Sequence, residues 1–229
     1  MTESGQFEII LQVLRRFQSA GILDRLVLIG SWCLYFYRHG LALKDLPALR
    51  TTDVDFLVPR PFRFEKVTDV PAILEELGFA PTFHEMNGLA VYDHPELRLE
   101  FLVPEIGRGS SEPVAIPGLH VKAQGIRYLN FLSSHVITIR YHDLAVRVPE
   151  PVVFALHKLI VSSRRTKKDK REKDLATAIG VLEFLFKDTK EKERAKVILA
   201  KLPSNWCKTI LSVSAKHFPA LNKYYEKRD

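Results

Sequence analysis

Cysteine is scarce: Cys33 and Cys207 are the only two in 229 residues. They lie far apart and outside any C-x-x-C spacing, which excludes a disulfide framework and a cysteine zinc site and predicts two small buried hydrophobic side chains. No stretch reaches the ~18 apolar residues of a membrane span. The first residues, MTESGQFEII, hold no basic segment leading into an apolar run, so the expectation is a soluble, cytoplasmic protein with no membrane partner. Internal repeats and low-complexity blocks are also missing. The apolar run that ends at Gly30-Ser31 has no lysine behind it, which excludes a P-loop.

What is present is globular: 46% hydrophobic and 27% charged residues, with 11 Gly and 13 Pro. The net charge of +7 is unevenly spread. Residues 1–150 carry 15 Lys+Arg against 18 Asp+Glu, or −3, and residues 151–229 carry 19 against 9, or +10. A basic last third beside a mildly acidic remainder suits a polyanionic ligand, nucleoside triphosphate or RNA; Lys-rich helix faces solvated without a ligand are the alternative.

Helical spacing of Phe7, Ile10, Leu11, Leu14 and Phe17 predicts an amphipathic helix over 6–19, stopped by Gly21. RLVLIG at 25–30 is short and apolar on both faces, as in a central strand. Ser31 is placed to cap a helix running to His39, whose Trp32, Tyr35 and Phe36 are spaced for the core. DVDFLV at 53–58 alternates, with Val54, Phe56 and Val58 on one face and Asp53, Asp55 and Leu57 on an open one. A helix is predicted over 71–77, and GLAVYD and LRLEFLVP, separated by the turn-prone His94-Pro95-Glu96, read as a hairpin or adjacent strands. Residues 104–120, rich in Gly, Pro and Ser, read as a loop insertion. Two further strands flank Tyr141-His142-Asp143. Beyond Pro151 everything reads as helix, over 151–164, 170–187, 189–201 and 204–215. The expectation is an α+β domain over 1–150 built on a mixed sheet, followed by a basic helical domain over 151–229.

Residues two apart on a strand point the same way with Cα atoms ~6.5 Å apart, so Asp53 and Asp55 present paired carboxylates. Such a pair repels itself unless a cation intervenes, and hard oxygen ligands with room for phosphate oxygens suit Mg²⁺. Glu100 faces away from Leu99, Phe101 and Val103; if its strand adjoins 53–58, it makes a third acid. Three carboxylates can hold two metal ions around an in-line phosphoryl transfer. Gly30 lets a phosphate approach the backbone, and the helix starting at Ser31 offers N–H groups to an anion. His39, His94, His142 and His157 form no metal-ligand spacing.

GSW at 30–32, DVD at 53–55 and LEF at 99–101, in this order and on these elements, resemble the nucleotidyltransferases of the DNA polymerase β superfamily. VPEPVVFALHKLIVSSRR followed by KDL, at 148–175, is similar to bacterial nucleotidyltransferase-like proteins and to the abortive-infection nucleotidyltransferase toxins. The resemblance implies a Mg²⁺-dependent enzyme that moves a nucleoside monophosphate from an NTP to an acceptor, which could be RNA, protein or a small molecule. It implies metal binding by Asp53, Asp55 and Glu100. Nucleotide contacts would come from Gly30, Ser31, Thr52 and Lys158, from Arg164 or Arg165, and from Asp174. Two alternatives stay open: a catalytically silent nucleotide- or RNA-binding protein, and a toxin that modifies tRNA or a protein.

Overall fold

A computed structural model of the chain describes residues 3–41, 43, 46, 51–83, 87–107 and 112–226. The chain divides into two compact units, one of residues 1–42 and 48–149, the other of 43–47 and 150–229. The first combines sheet and helix and the second is helical, so the fold is α+β with a helical carboxyl-terminal part.

The first unit opens with α1 (Glu3–Ser19), β1 (Val27–Ile29), α2 (Trp32–Gly40) and β2 (Asp53–Leu57). It continues through α3 (Val70–Glu76), β3 (Ala80–Phe83), β4 (Ala90–Asp93) and β5 (Arg98–Pro104). Then come β6 (Val114–Ile116), β7 (Val121–Ile126), α4 (Leu129–Ser133), β8 (Val136–Tyr141) and β9 (Leu144–Pro149). The main sheet runs β1-β2-β5-β4-β3, with β7 also beside β5 and β6 beside β7; β8 and β9 form a separate hairpin. β1 is antiparallel to β2 and β2 is parallel to β5, so the sheet is mixed.

Alternation in β2 and β5 gives the sheet two unlike faces. Val54, Phe56, Leu99, Phe101 and Val103 are buried on one. Phe56 and Phe101 are register partners, and Phe17 of α1 comes within 5.3 Å of the Phe56 ring. Each such aromatic contributes about 1.5–3 kcal/mol by leaving water. The other face carries the acids.

Three expectations change here. Residues 104–120 are not simply a loop: β6 and a short 3₁₀ turn (Pro117–Leu119) lie within them, because Val114-Ala115-Ile116 pairs with β7; residues 108–111 lie outside the described set. Leu57 is buried, so the acid face of β2 is open only at its first residues. Cys33 is buried as expected, but Cys207 is only partly so.

In the second unit, α5 (Pro151–Ser162) is followed by α6 (Lys168–Leu185), α7 (Thr189–Lys201), α8 (Ser204–His217) and α9 (Pro219–Glu226). α5 begins with a proline, which has no N–H to leave unpaired, and packs against α6, α7 and α8. That surrounds it with neighbours, which is why its sequence is apolar nearly all round. Among the described residues, no helix is long and apolar enough to cross a membrane.

Candidate active site

The register places the acids. Asp55 of β2 pairs with Ile29 of β1 on one side and Glu100 of β5 on the other, and Asp53 pairs with Arg98. Cross-strand partners share a face, so Asp53, Asp55 and Glu100 lie on one surface of the sheet. Asp53 is exposed, and Asp55 and Glu100 are partly buried. Thr52 enters β2 just before them, and its carbonyl accepts from the Arg98 N–H at 2.8 Å.

Gly30 follows β1 with φ +73°, and a Cβ added to it would fall inside the van der Waals shell of Asp55 Oδ2 and 3.4 Å from Asp55 Cγ. Only glycine adopts this turn without strain and leaves the carboxylate its place. Ser31 occupies the N-cap position of α2, but its side chain makes no capping hydrogen bond. Its backbone is already helical (φ −69°, ψ −22°), which carries the hydroxyl away from the orientation a cap requires. Trp32 and Phe36 are buried, and Tyr35 stacks on His39 and meets Phe7 in a tilted contact. The aromatic side of α2 is therefore core.

Sequence reasoning missed Arg98. Its Nε lies 3.5 Å from Glu100 Oε1 and 3.7 Å from Asp93 Oδ1, and in register it stands between Asp53 and Asp93. The signal was available: Arg98 precedes Glu100 by two, so strand alternation puts both on one face. Among the described residues, no three His, Cys, Asp or Glu side chains converge closely enough to form a metal-binding group. The donors on the acid face are nonetheless all carboxylate oxygens on two adjacent strands, the chemistry a hard dication takes.

Lys158, Arg165 and Asp174 come together within the helical unit. Lys158 Nζ donates to Asp174 Oδ1 at 2.6 Å and Arg165 Nε to Oδ2 at 3.0 Å, and Asp174 is only 4% exposed. Burial pushes the Asp174 carboxyl up, but the two cations outweigh it and hold the group below its ordinary value. Arg164 is exposed and takes no part in this cluster. The neighbouring His157 is pushed down to about 3, first by burial and then by the charge of Lys158, and its Nε2 has no hydrogen-bond partner among the described residues. It is a neutral imidazole.

A family model described as "Nucleotidyltransferase" matches residues 8–200. No curated protein matches the sequence. Among solved structures, an antigenic nucleotidyltransferase-like protein from Paracoccidioides brasiliensis is similar at 14% identity and a TM-score of 0.47, over 95% of this chain and 91% of that one. The antibiotic-resistance factor ANT(2'')-Ia in solution is similar at 12% identity and a TM-score of 0.45, over 98% of both chains. The same factor in complex with adenylyl-2''-tobramycin gives 12% identity and a TM-score of 0.44, over 93% of this chain and 98% of that one. Likenesses this loose say nothing of substrate.

Proposed function

Because the chain belongs to the nucleotidyltransferase family, we propose that it transfers a nucleoside monophosphate from an NTP to an acceptor hydroxyl in the presence of Mg²⁺. The acceptor oxygen bonds to the α-phosphorus, the bond from that phosphorus to the β-phosphate bridging oxygen breaks, and pyrophosphate leaves. Asp53, Asp55 and Glu100 are the residues that would hold Mg²⁺, which when bound supplies charge neutralisation for the triphosphate. Glu100 takes the proton of the acceptor hydroxyl. Gly30 and the start of α2 at Ser31 receive the β and γ phosphates through backbone N–H groups. Within the helical unit, Lys158 and Arg165, ordered by Asp174, are cations suited to a nucleotide phosphate, and Arg164 and, in the first unit, Thr52 are further candidates for nucleotide contact.

The observation that carries this reading is one rung of the sheet. Ile29, Asp55 and Glu100 are in register, and Gly30 is pressed against the Asp55 carboxylate. A bare glycine, a helix start and two carboxylates thus share one edge. The Arg98–Glu100 pair at 3.5 Å favours a second reading, in which arginine supplies the counter-charge and the site binds nucleotide without turnover.

The test is incubation of the purified chain with each α-³²P-labelled NTP, Mg²⁺, and total cell RNA and protein, beside an Asp53→Asn, Asp55→Asn double variant. Label on a macromolecule only with the intact acids is the expected result. No label from any NTP, together with equal nucleotide affinity with and without Mg²⁺, would establish the second reading.

A further inference from the structure

We propose that the first unit carries a second anion site, a cavity of about 240 Å³ lined by Arg25, Arg63 and Arg147, with Asp24 also on its wall, that takes a phosphate monoester. It lies at the far end of the strands from the acids. Val27 pairs with Leu57 while Ile29 pairs with Asp55, so Arg25 before β1 and Pro59 after β2 share the end opposite Gly30. At ~3.3 Å per residue, Pro59 is about 13 Å along the chain from Asp55.

The charges at this corner do not cancel. Asp24 Oδ2 and Glu65 Oε1 both go to Arg25, at 3.3 and 3.0 Å. Arg147, from the middle of β9, donates instead to the main-chain carbonyl of Asp24 at 2.8 Å, a partner without formal charge. Arg63 has no hydrogen bond or ion pair among the described residues. Asp24, which also lines the cavity, is thus engaged by Arg25, and the other two guanidinium groups have no carboxylate ion pair among the described residues; Arg147 is partly buried. Burial presses Arg147 down from its ordinary value; Asp24 opposes this and Arg25 adds to it. Like charges held close together, one of them partly withdrawn from water, repel unless an anion shares them. The concentration is also local, since residues 1–150 as a whole carry −3.

The chemistry of the lining selects the ligand. Guanidinium forks match pairs of phosphate oxygens, and a dianionic monoester has charge enough for two of them. Pro59, Pro61 and Phe64 form the apolar part of the wall. The volume is small beside the ~300–1,000 Å³ of most ligand sites, which suits a terminal phosphate and the group next to it better than a whole nucleotide. That phosphate could sit on a free sugar phosphate or on the 5′ end of a strand.

Calorimetric titration of the full chain distinguishes these, with ribose 5-phosphate and a 5′-phosphorylated RNA octamer as probes and their dephosphorylated forms as controls. Saturable, phosphate-dependent binding of ribose 5-phosphate identifies the small ligand; binding of the octamer alone identifies the strand end. Arg63→Ala and Arg147→Lys are each expected to weaken it at least tenfold, and Lys158→Ala to leave it unchanged. Arg63 is exposed and unpaired, so its variant tests the site even if the Arg147 variant is unstable. Binding of neither probe, binding that ignores the phosphate, or binding lost in Lys158→Ala but kept in Arg63→Ala would overturn the proposal. Nucleotide transfer should be the same in Arg63→Ala as in the parent, which separates this site from the transfer reaction.

Discussion

Gly30 and Asp55 are so closely apposed that the carboxylate occupies the space a side chain on residue 30 would need. The turn after β1 and the middle of β2 are therefore one structural unit. Gly30→Ala must both adopt φ +73°, at a cost of about 1–2 kcal/mol for a residue with a Cβ, and displace Asp55. A urea melt should register that destabilisation, and transfer activity should fall far more than stability does. An alanine variant with parental turnover would show that Asp55 needs no fixed position.

Asp174→Asn removes the carboxylate shared by Lys158 and Arg165. Breaking a buried pair typically costs about 3–5 kcal/mol, a loss that chemical denaturation would detect. The folded carboxyl titrates below its ordinary value, so its contribution is fully present above the unfolded value and is lost as pH falls through the folded one. The stability gap between parent and variant should then hold down to the ordinary carboxylate range and close only at lower pH, as the folded carboxyl itself takes up its proton.

His157 gives a second, higher acid window. Its folded value of about 3 lies under the ordinary 6.5, so between those values the unfolded chain binds the extra proton and stability drops as pH falls. Denaturation at pH 7, 6, 5 and 4 should show this loss, and His157→Gln should flatten that part of the curve. An unchanged slope in the variant would assign the acid sensitivity elsewhere.

Arg98 lies between carboxylates on the acid face. Replacing it with Ala removes a positive charge 3.5 Å from Glu100, and a dication approaching that face should bind severalfold more tightly. Titration with Mn²⁺ followed by electron paramagnetic resonance reads this directly; unchanged affinity would place cation binding away from Glu100.

Phe56→Ala opens a cavity between α1 and the sheet. Phe56 is fully buried between Phe17 and Phe101, and such truncations cost about 3–5 kcal/mol. The melting temperature should fall by more than for any exposed substitution in β3, whose four residues are all exposed.

Much of this protein is written in local pattern. The two-residue alternation of β2 and β5 settles which side chains face α1 and which face outward, and α5 declares itself by its proline start and continuous apolar face. β3, β7, α4 and α9 escaped that reading. β3 is wholly exposed, α4 and α9 are short, and β7 interrupts its apolar residues with Lys122, Gln124 and Gly125. Long-range pairing decided the rest. Sequence put Asp55 and Glu100 on strands but could not say those strands are neighbours; the parallel register of β2 and β5 did. It offered Arg164 and Arg165 equally, and only the fold of α6 back against α5 joined Arg165 to Asp174. Periodicity fixes which way a side chain points, because it follows from backbone geometry within one element; which partner it meets depends on how elements separated by dozens of residues pack.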